Sequence, residues 1–193
     1  MIQIGLHSVF PTSILEYNLE EVINESQIEQ LKNLESVCET HDLIRDGVST
    51  YAVYQNLLTD AEGFDWLGDI LFTCIAEYEK LLNLRKLGIT NCWTNITSKG
   101  AKVMPHRHEG SVCSGALYVQ GADDSAELMF HSPLKPYRMF DLFDGENEHN
   151  TYYHYVKPKP LTLYIFPSWL EHETKMETST EKRQVISFNT SYV

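Results

Sequence analysis

The apolar pattern of this chain settles into a period of two at Ile89 and keeps it, and that change limits what the chain can fold into. Before it, two long stretches have apolar residues every three to four positions. Leu67, Ile70, Leu71, Cys74, Ile75, Tyr78, Leu81 and Leu82 form one broad stripe, which predicts a helix over 64–84 with Gly88 as its C-terminal cap. Leu19, Val22, Ile23, Ile28, Leu31, Leu34 and Val37 predict a second helix between Asn18 and Thr40, broken near Asn24-Glu25-Ser26. After Ile89 the period is two: Trp93 and Asn95 share one face, and Cys92, Thr94 and Ile96 the other. A helical pattern does not serve as a strand, so the two parts build different layers.

The expected strands are 2–10, 51–54, 89–97, 102–108 after a turn at Lys99-Gly100, 115–120, 126–131 after a hairpin turn at 121–124, 152–157, 161–166, 171–175 and 183–190. Helices first and strands afterwards mean an α+β class. About eight successive antiparallel strands fit a double-stranded β-helix, or jelly-roll, barrel with the N-terminal helices packed on one sheet. The expectation is one domain over 1–193, with 1–88 a mainly helical supporting layer and 89–193 the barrel. The stretch 133–150, with Tyr137, Met139, Phe140, Phe143 and His149, is long for a loop and is read as a lid or a disordered segment.

Charge and cysteine usage narrow the partners. A net charge of -12 argues against nucleic acid and against an anionic membrane surface. No apolar run reaches spanning length, and the first residues lack a basic segment leading into an apolar run, so the cytosol is the expected compartment. Cys38, Cys74, Cys92 and Cys113 have no C-x-x-C spacing and read as reduced, small apolar residues. Small jelly rolls often pair through an exposed edge or helix, which admits a homodimer.

The chemistry centres on Pro105-His106-Arg107-His108-Glu109-Gly110. Two histidines two apart on a strand point to one face and chelate a divalent ion if a third ligand arrives from elsewhere. His172, after Phe166-Pro167-Ser168-Trp169, is that candidate. Three protein ligands on one face of an iron ion leave positions open for substrate and oxygen. Arg183 opens a strand of Val, Ile and Phe, where an inward guanidinium needs an anion: either a carboxylate ligand or a structural Asp or Glu.

The run "WTNITSKGAKVMPHRHEGSVCSGALYV", with "FHSP", "IFPSWLEH" and "RQVISFN", resembles the 2-oxoglutarate- and iron(II)-dependent oxygenases over residues 93 to 189. The similarity is to a branch of small members with W-x-N, H-x-H, S-G-x-x-Y, F-P-x-x-x-x-H and R-x-x-x-S-x-N. The resemblance implies a dioxygenase or hydroxylase using O2, Fe(II) and 2-oxoglutarate. It implies His106 and His172 as metal ligands with His108 between them, Arg183 on the distal carboxylate of 2-oxoglutarate, and Tyr118 and Asn95 lining the cosubstrate pocket. Asn189 matches the end of the last strand, where a structural role is expected.

One departure is evident. Most of the superfamily has H-x-D, and this chain has His108. The site is then a three-histidine centre, or borrows a carboxylate such as Glu109, or holds another metal or none. A cupin that does not use 2-oxoglutarate is the rival: Gly100, His106 and His108 fit its opening, but its glutamate and closing asparagine are missing. A metal-free binding module is the third reading. The oxidised substrate, a small molecule or a protein side chain, is not named by any motif.

Overall fold

The computed structural model describes residue 5, residues 10–137 and residues 144–193. The strand expected over 2–10 and the loop residues Met139, Phe140 and Phe143 lie outside the described residues, save Gly5 and Phe10.

Among the described residues the chain runs β1 (Leu15–Asn18), α1 (Glu25–Asn33), a 3-10 turn, β2 (Glu39–His41), β3 (Ile44–Ser49), α2 (Leu57–Asp60), α3 (Asp65–Leu82), β4 (Leu87–Val103), β5 (Cys113–Gln120), β6 (Leu128–His131), β7 (Tyr153–Val156), β8 (Thr162–Pro167), β9 (His172–Thr174) and β10 (Arg183–Tyr192). Antiparallel pairing makes a seven-stranded sheet, β1-β8-β5-β10-β4-β3-β2, and a three-stranded one, β7-β6-β9.

Period two explains the layering. On β5 and β10, Leu117, Val119, Ile186 and Phe188 share a core with Leu67, Leu71, Ile75 and Tyr78 of α3. The alternate residues Ala116, Tyr118 and Val185 join Leu128 and Phe130 of β6 in a second core. The large sheet thus has apolar residues on both faces, and the functional residues lie at the end of the second core.

Several local expectations need correction. The first helix does not start at Asn18, which ends β1. Asn24 Oδ1 accepts from Gln27 N–H at 3.1 Å and Gln27 Oε1 from Asn24 N–H at 2.9 Å, a capping box that starts α1 at Glu25. The cap of α3 is Asn83, left-handed at φ 51, not Gly88, which lies in β4. Residues 51–54 form a turn closed by Val53 and Tyr54 N–H groups on Thr50 O, and the strand is β3 before it. No hairpin joins β5 to β6: residues 121–127 carry the chain from one sheet to the other.

Lys99-Gly100 does not end a strand either. β4 continues to Val103, and the excess residues bulge out, because Thr97 faces Gly47 while Lys102 already faces Arg45. Gly100 takes φ 92 there, open to glycine without strain, and its N–H donates to Glu177 O at 2.8 Å.

Candidate active site

His106 and His108 were expected on a strand. They lie instead in the irregular segment after β4, where Pro105 has no N–H to continue a ladder. Backbone bonds replace the strand. His106 and His172 exchange N–H···O bonds of 3.0 Å in an isolated bridge, and His108 N–H donates to Ser168 O at 3.0 Å. Ser168 is itself fixed. Ser114 Oγ donates to Asn189 Oδ1 at 2.7 Å, so the 2.7 Å contact between Ser114 and Ser168 must use the Ser168 hydrogen. Asn189 thus anchors a side chain, where it was expected to satisfy backbone at a strand end, and it lies within β10; Ser114 and Ser168 are positioning residues to which no motif assigned a role.

The three imidazoles meet. Their ligand-capable nitrogens lie within 4.8 Å of one another, and ring centroids are 4.3 Å (His106–His172), 4.9 Å (His106–His108) and 5.2 Å (His108–His172) apart. Among the described residues no carboxylate joins this group; Glu109 is exposed in the adjoining turn. His106 Nδ1 is 2.8 Å from Met104 O, and His172 Nδ1 is 2.9 Å from Leu170 O. A carbonyl only accepts, so both Nδ1 atoms carry the proton and both Nε2 atoms keep a lone pair. Burial pushes the pKa of His106 below its ordinary value and that of His172 well below it. Burial, with the like charge of His106, brings His108 down to about 4. Neutral imidazoles are the form that binds a metal.

The strand carrying His172 is braced from outside. Glu171 and Glu173 flank it and both receive His131: Nδ1 lies 2.9 Å from Glu171 and Nε2 3.0 Å from Glu173. Lys102 also pairs with Glu173, and Arg107 reaches Glu171 at 3.1 Å. The motif reading assigned none of these residues.

A cavity leads from the imidazoles to Arg183, with Asn95, Thr97, Tyr118 and Val185 in its walls. Arg183 is 2% exposed, and its Nη1 donates to Ala126 O at 2.8 Å. The acid foreseen as an alternative partner is present: Glu177 Oε2 is 3.6 Å from Arg183 Nε. It does not cap the guanidinium. Glu177 accepts N–H bonds from Ala126 and Ser179, and Arg183 Nε makes no hydrogen bond. Thr97 Oγ1 is likewise buried and unbonded. Such atoms collected in one cavity call for a polar occupant. A guanidinium and a hydroxyl suit a carboxylate, so this cavity fits 2-oxoglutarate, as the imidazole set fits a divalent metal. Tyr118 is 4% exposed, and burial pushes its phenol up to about 12, so it stays a neutral wall.

Cys38 is partly buried and the other three cysteines are buried; burial pushes the four thiols up to about 11 or 12. Among the described residues no helix is long and apolar enough to cross a membrane.

The family model described as "Putative 2OG-Fe(II) oxygenase" matches residues 91–189, which is 99 of 193 residues and just over half of the chain. No match is found among curated proteins. Solved structures share the fold at low identity. A Pseudomonas putida prolyl-4-hydroxylase is 14% identical, with 94% of both chains covered and a TM-score of 0.61. HygX from Streptomyces hygroscopicus, solved with nickel, 2-oxoglutarate and hygromycin B, is 12% identical, covering 94% of this chain and 84% of its own, at 0.62. A Trichoplax adhaerens prolyl hydroxylase, solved with a peptide fragment of the hypoxia inducible factor oxygen degradation domain, is 16% identical, covering 92% and 82%, at 0.63. With this match over half of the chain, and with three imidazoles that could hold a metal ion, the chain belongs to the 2-oxoglutarate- and iron(II)-dependent oxygenases.

Proposed function

We propose that His106, His108 and His172 hold the iron(II), and that Arg183 holds the distal carboxylate of 2-oxoglutarate in the cavity walled by Tyr118 and Asn95. The architecture in this reading is a jelly-roll barrel with the N-terminal helices packed on its larger sheet, forming one domain over 1–193. It works in the cytosol. The primary substrate is a protein side chain or a small molecule. The convergence of three neutral imidazoles on one point beside a buried, under-bonded guanidinium supports this reading most directly.

Iron(II), 2-oxoglutarate and O2 together supply oxidative decarboxylation to succinate and carbon dioxide, with one oxygen atom placed on the second substrate. The chain's own residues bind, orient and exclude water. Met104 O and Leu170 O hold the protons of His106 and His172 at Nδ1, which keeps both Nε2 lone pairs aimed inward. Ser168 O holds His108. The charges balance. Two on the metal and one on Arg183 are met by one on Glu177 and two on the cosubstrate. Glu177, beside Arg183, carries the negative charge in this count, and His108 carries none.

Anaerobic titration with iron(II) and 2-oxoglutarate tests the assignment. The expected result is a weak visible charge-transfer band, followed by succinate on admission of air. Absence of both overturns it.

A further inference from the structure

Two cavities meet at the imidazoles. His106 and His108 line the cosubstrate cavity and also a second cleft; Trp93 and Val103 line both, and His41, Leu43, Ile44, Tyr51 and Asn189 line the second alone. We propose that this second cleft receives the group that is oxidised, and that this group is uncharged, mostly apolar, planar and furnished with one N–H or O–H donor. The proposal rests on the metal and cosubstrate assignment above and extends it to the primary substrate.

Position comes first. The cleft shares two ligand rings with the metal centre, so an occupant lies against the metal without crossing the cosubstrate. A larger cavity near Trp169 and Leu134 touches none of the three rings, so an occupant there would sit away from the chemistry.

Chemistry comes second. Among the described residues, no ionisable group lines the cleft apart from imidazoles and the phenol of Tyr51. A charged substrate would lose its water there and gain no counter-ion. The net charge of -12 further disfavours an anion. The walls are instead a contiguous run of rings. His41 and Tyr51 meet edge to face at 5.5 Å, Tyr51 and Trp93 at 5.2 Å, and Trp93 reaches His108 at 6.1 Å. A planar group gains both burial and ring contacts against such a wall.

The polar handle is Asn95, which lines both cavities. Its Nδ2 donates to Ser187 Oγ at 3.2 Å, which leaves Oδ1 buried and unbonded. A carboxamide oxygen can only accept, so it has nothing to offer the carboxylates of 2-oxoglutarate. It suits a donor arriving from the second cleft, and a substrate without that donor leaves it unpaired.

The test uses the full chain loaded anaerobically with iron(II) and 2-oxoglutarate, and calorimetric titration with indole. This probe is planar, neutral and carries one N–H. Tryptamine and indole-3-acetate are its cationic and anionic counterparts. Indole is expected to bind at least tenfold more tightly than either, and Leu43→Asp and Tyr51→Ala are each expected to weaken it tenfold or more. Leu43 is 41% exposed at the rim, so its substitution does not threaten the fold, and the charge-transfer band of each variant reports an intact metal site independently. Equal binding of the charged probes, unchanged indole binding by both variants, or no indole binding to protein that shows the band each overturns the substrate class. Loss of the band and of succinate in the unmodified protein overturns the oxygenase assignment, and the substrate class with it.

Discussion

Arg183 Nε, in the wall of the cavity that leads from the imidazoles, and Glu177 Oε2 face each other across 3.6 Å, with both side chains out of water. The contact offsets charge without satisfying the guanidinium, because the carboxylate oxygens are engaged by the N–H groups of Ala126 and Ser179. Glu177 is thus a counter-ion that leaves Arg183 Nε without a hydrogen bond.

Glu177→Gln removes that charge and keeps the shape. An unpaired buried arginine costs about 3–5 kcal/mol. The variant is expected to melt well below the native protein without cosubstrate, and to gain more from saturating 2-oxoglutarate, since the incoming dianion supplies the missing charge. Thermal melts with and without 2-oxoglutarate check both parts. An equal ligand-induced shift in the two proteins would show that Glu177 does not modulate the clamp.

Arg183→Lys exchanges a fork for a point charge. It is expected to weaken 2-oxoglutarate binding by about 1–3 kcal/mol, equivalent to about five- to 150-fold. Anaerobic titration of the visible band measures it, and unaltered affinity would point to a different anchor.

His172→Ala removes one of three ligands and is expected to lose bound iron, whereas His108→Asp restores the carboxylate usual in the superfamily and is expected to bind iron(II) more tightly than the native protein. Elemental analysis after dialysis against graded chelator separates the outcomes. Equal metal content in all three proteins would exclude a site at these rings.

The metal-free protein is expected to lose stability as the pH falls from about 6.5 toward about 4, since the His108 pKa is brought down from 6.5 to about 4. Within that window the unfolded chain takes up a proton that the folded chain refuses, so acid favours unfolding. Melting temperature against pH, in chelator, reads this directly. A flat profile across the window would mean that the ring is not desolvated.

Gly115→Ala probes the sheet under the site. A Cβ there would lie 2.2 Å from two atoms of the Phe188 ring, which is fully buried. Overpacking of this kind costs about 1–3 kcal/mol. Urea unfolding is expected to show a lowered midpoint with an unchanged slope.

The Ser-Gly of the S-G-x-x-Y motif is now explained by two separate needs. Ser114 holds Ser168 and through it His108, and Gly115 makes room for Phe188. Neither need is legible in a linear pattern, because the partners lie more than fifty residues away. Local signals were legible where the physics was local: the stripe of α3 and the alternation of β5 and β10. They failed where a turn was judged by composition alone. Lys99-Gly100 reads as a strand end, yet Glu177 and Ala101 hold the bulge inside one long strand.

The order of residues by itself determined the apolar stripe of α3, the period-two strands after Ile89, and the stock of imidazoles and guanidinium available for chemistry. Those depend on side-chain type and short spacing, which the chain carries with it, whereas β1, β2 and β3 join the large sheet from the part read as helical. Only the tertiary structure decided that β5 and β6 part into different sheets, that the histidines sit on a hydrogen-bonded loop beyond a strand, and that Glu177 faces Arg183. These relationships arise between segments far apart in sequence, and long-range backbone pairing and burial select them only once the two sheets are packed.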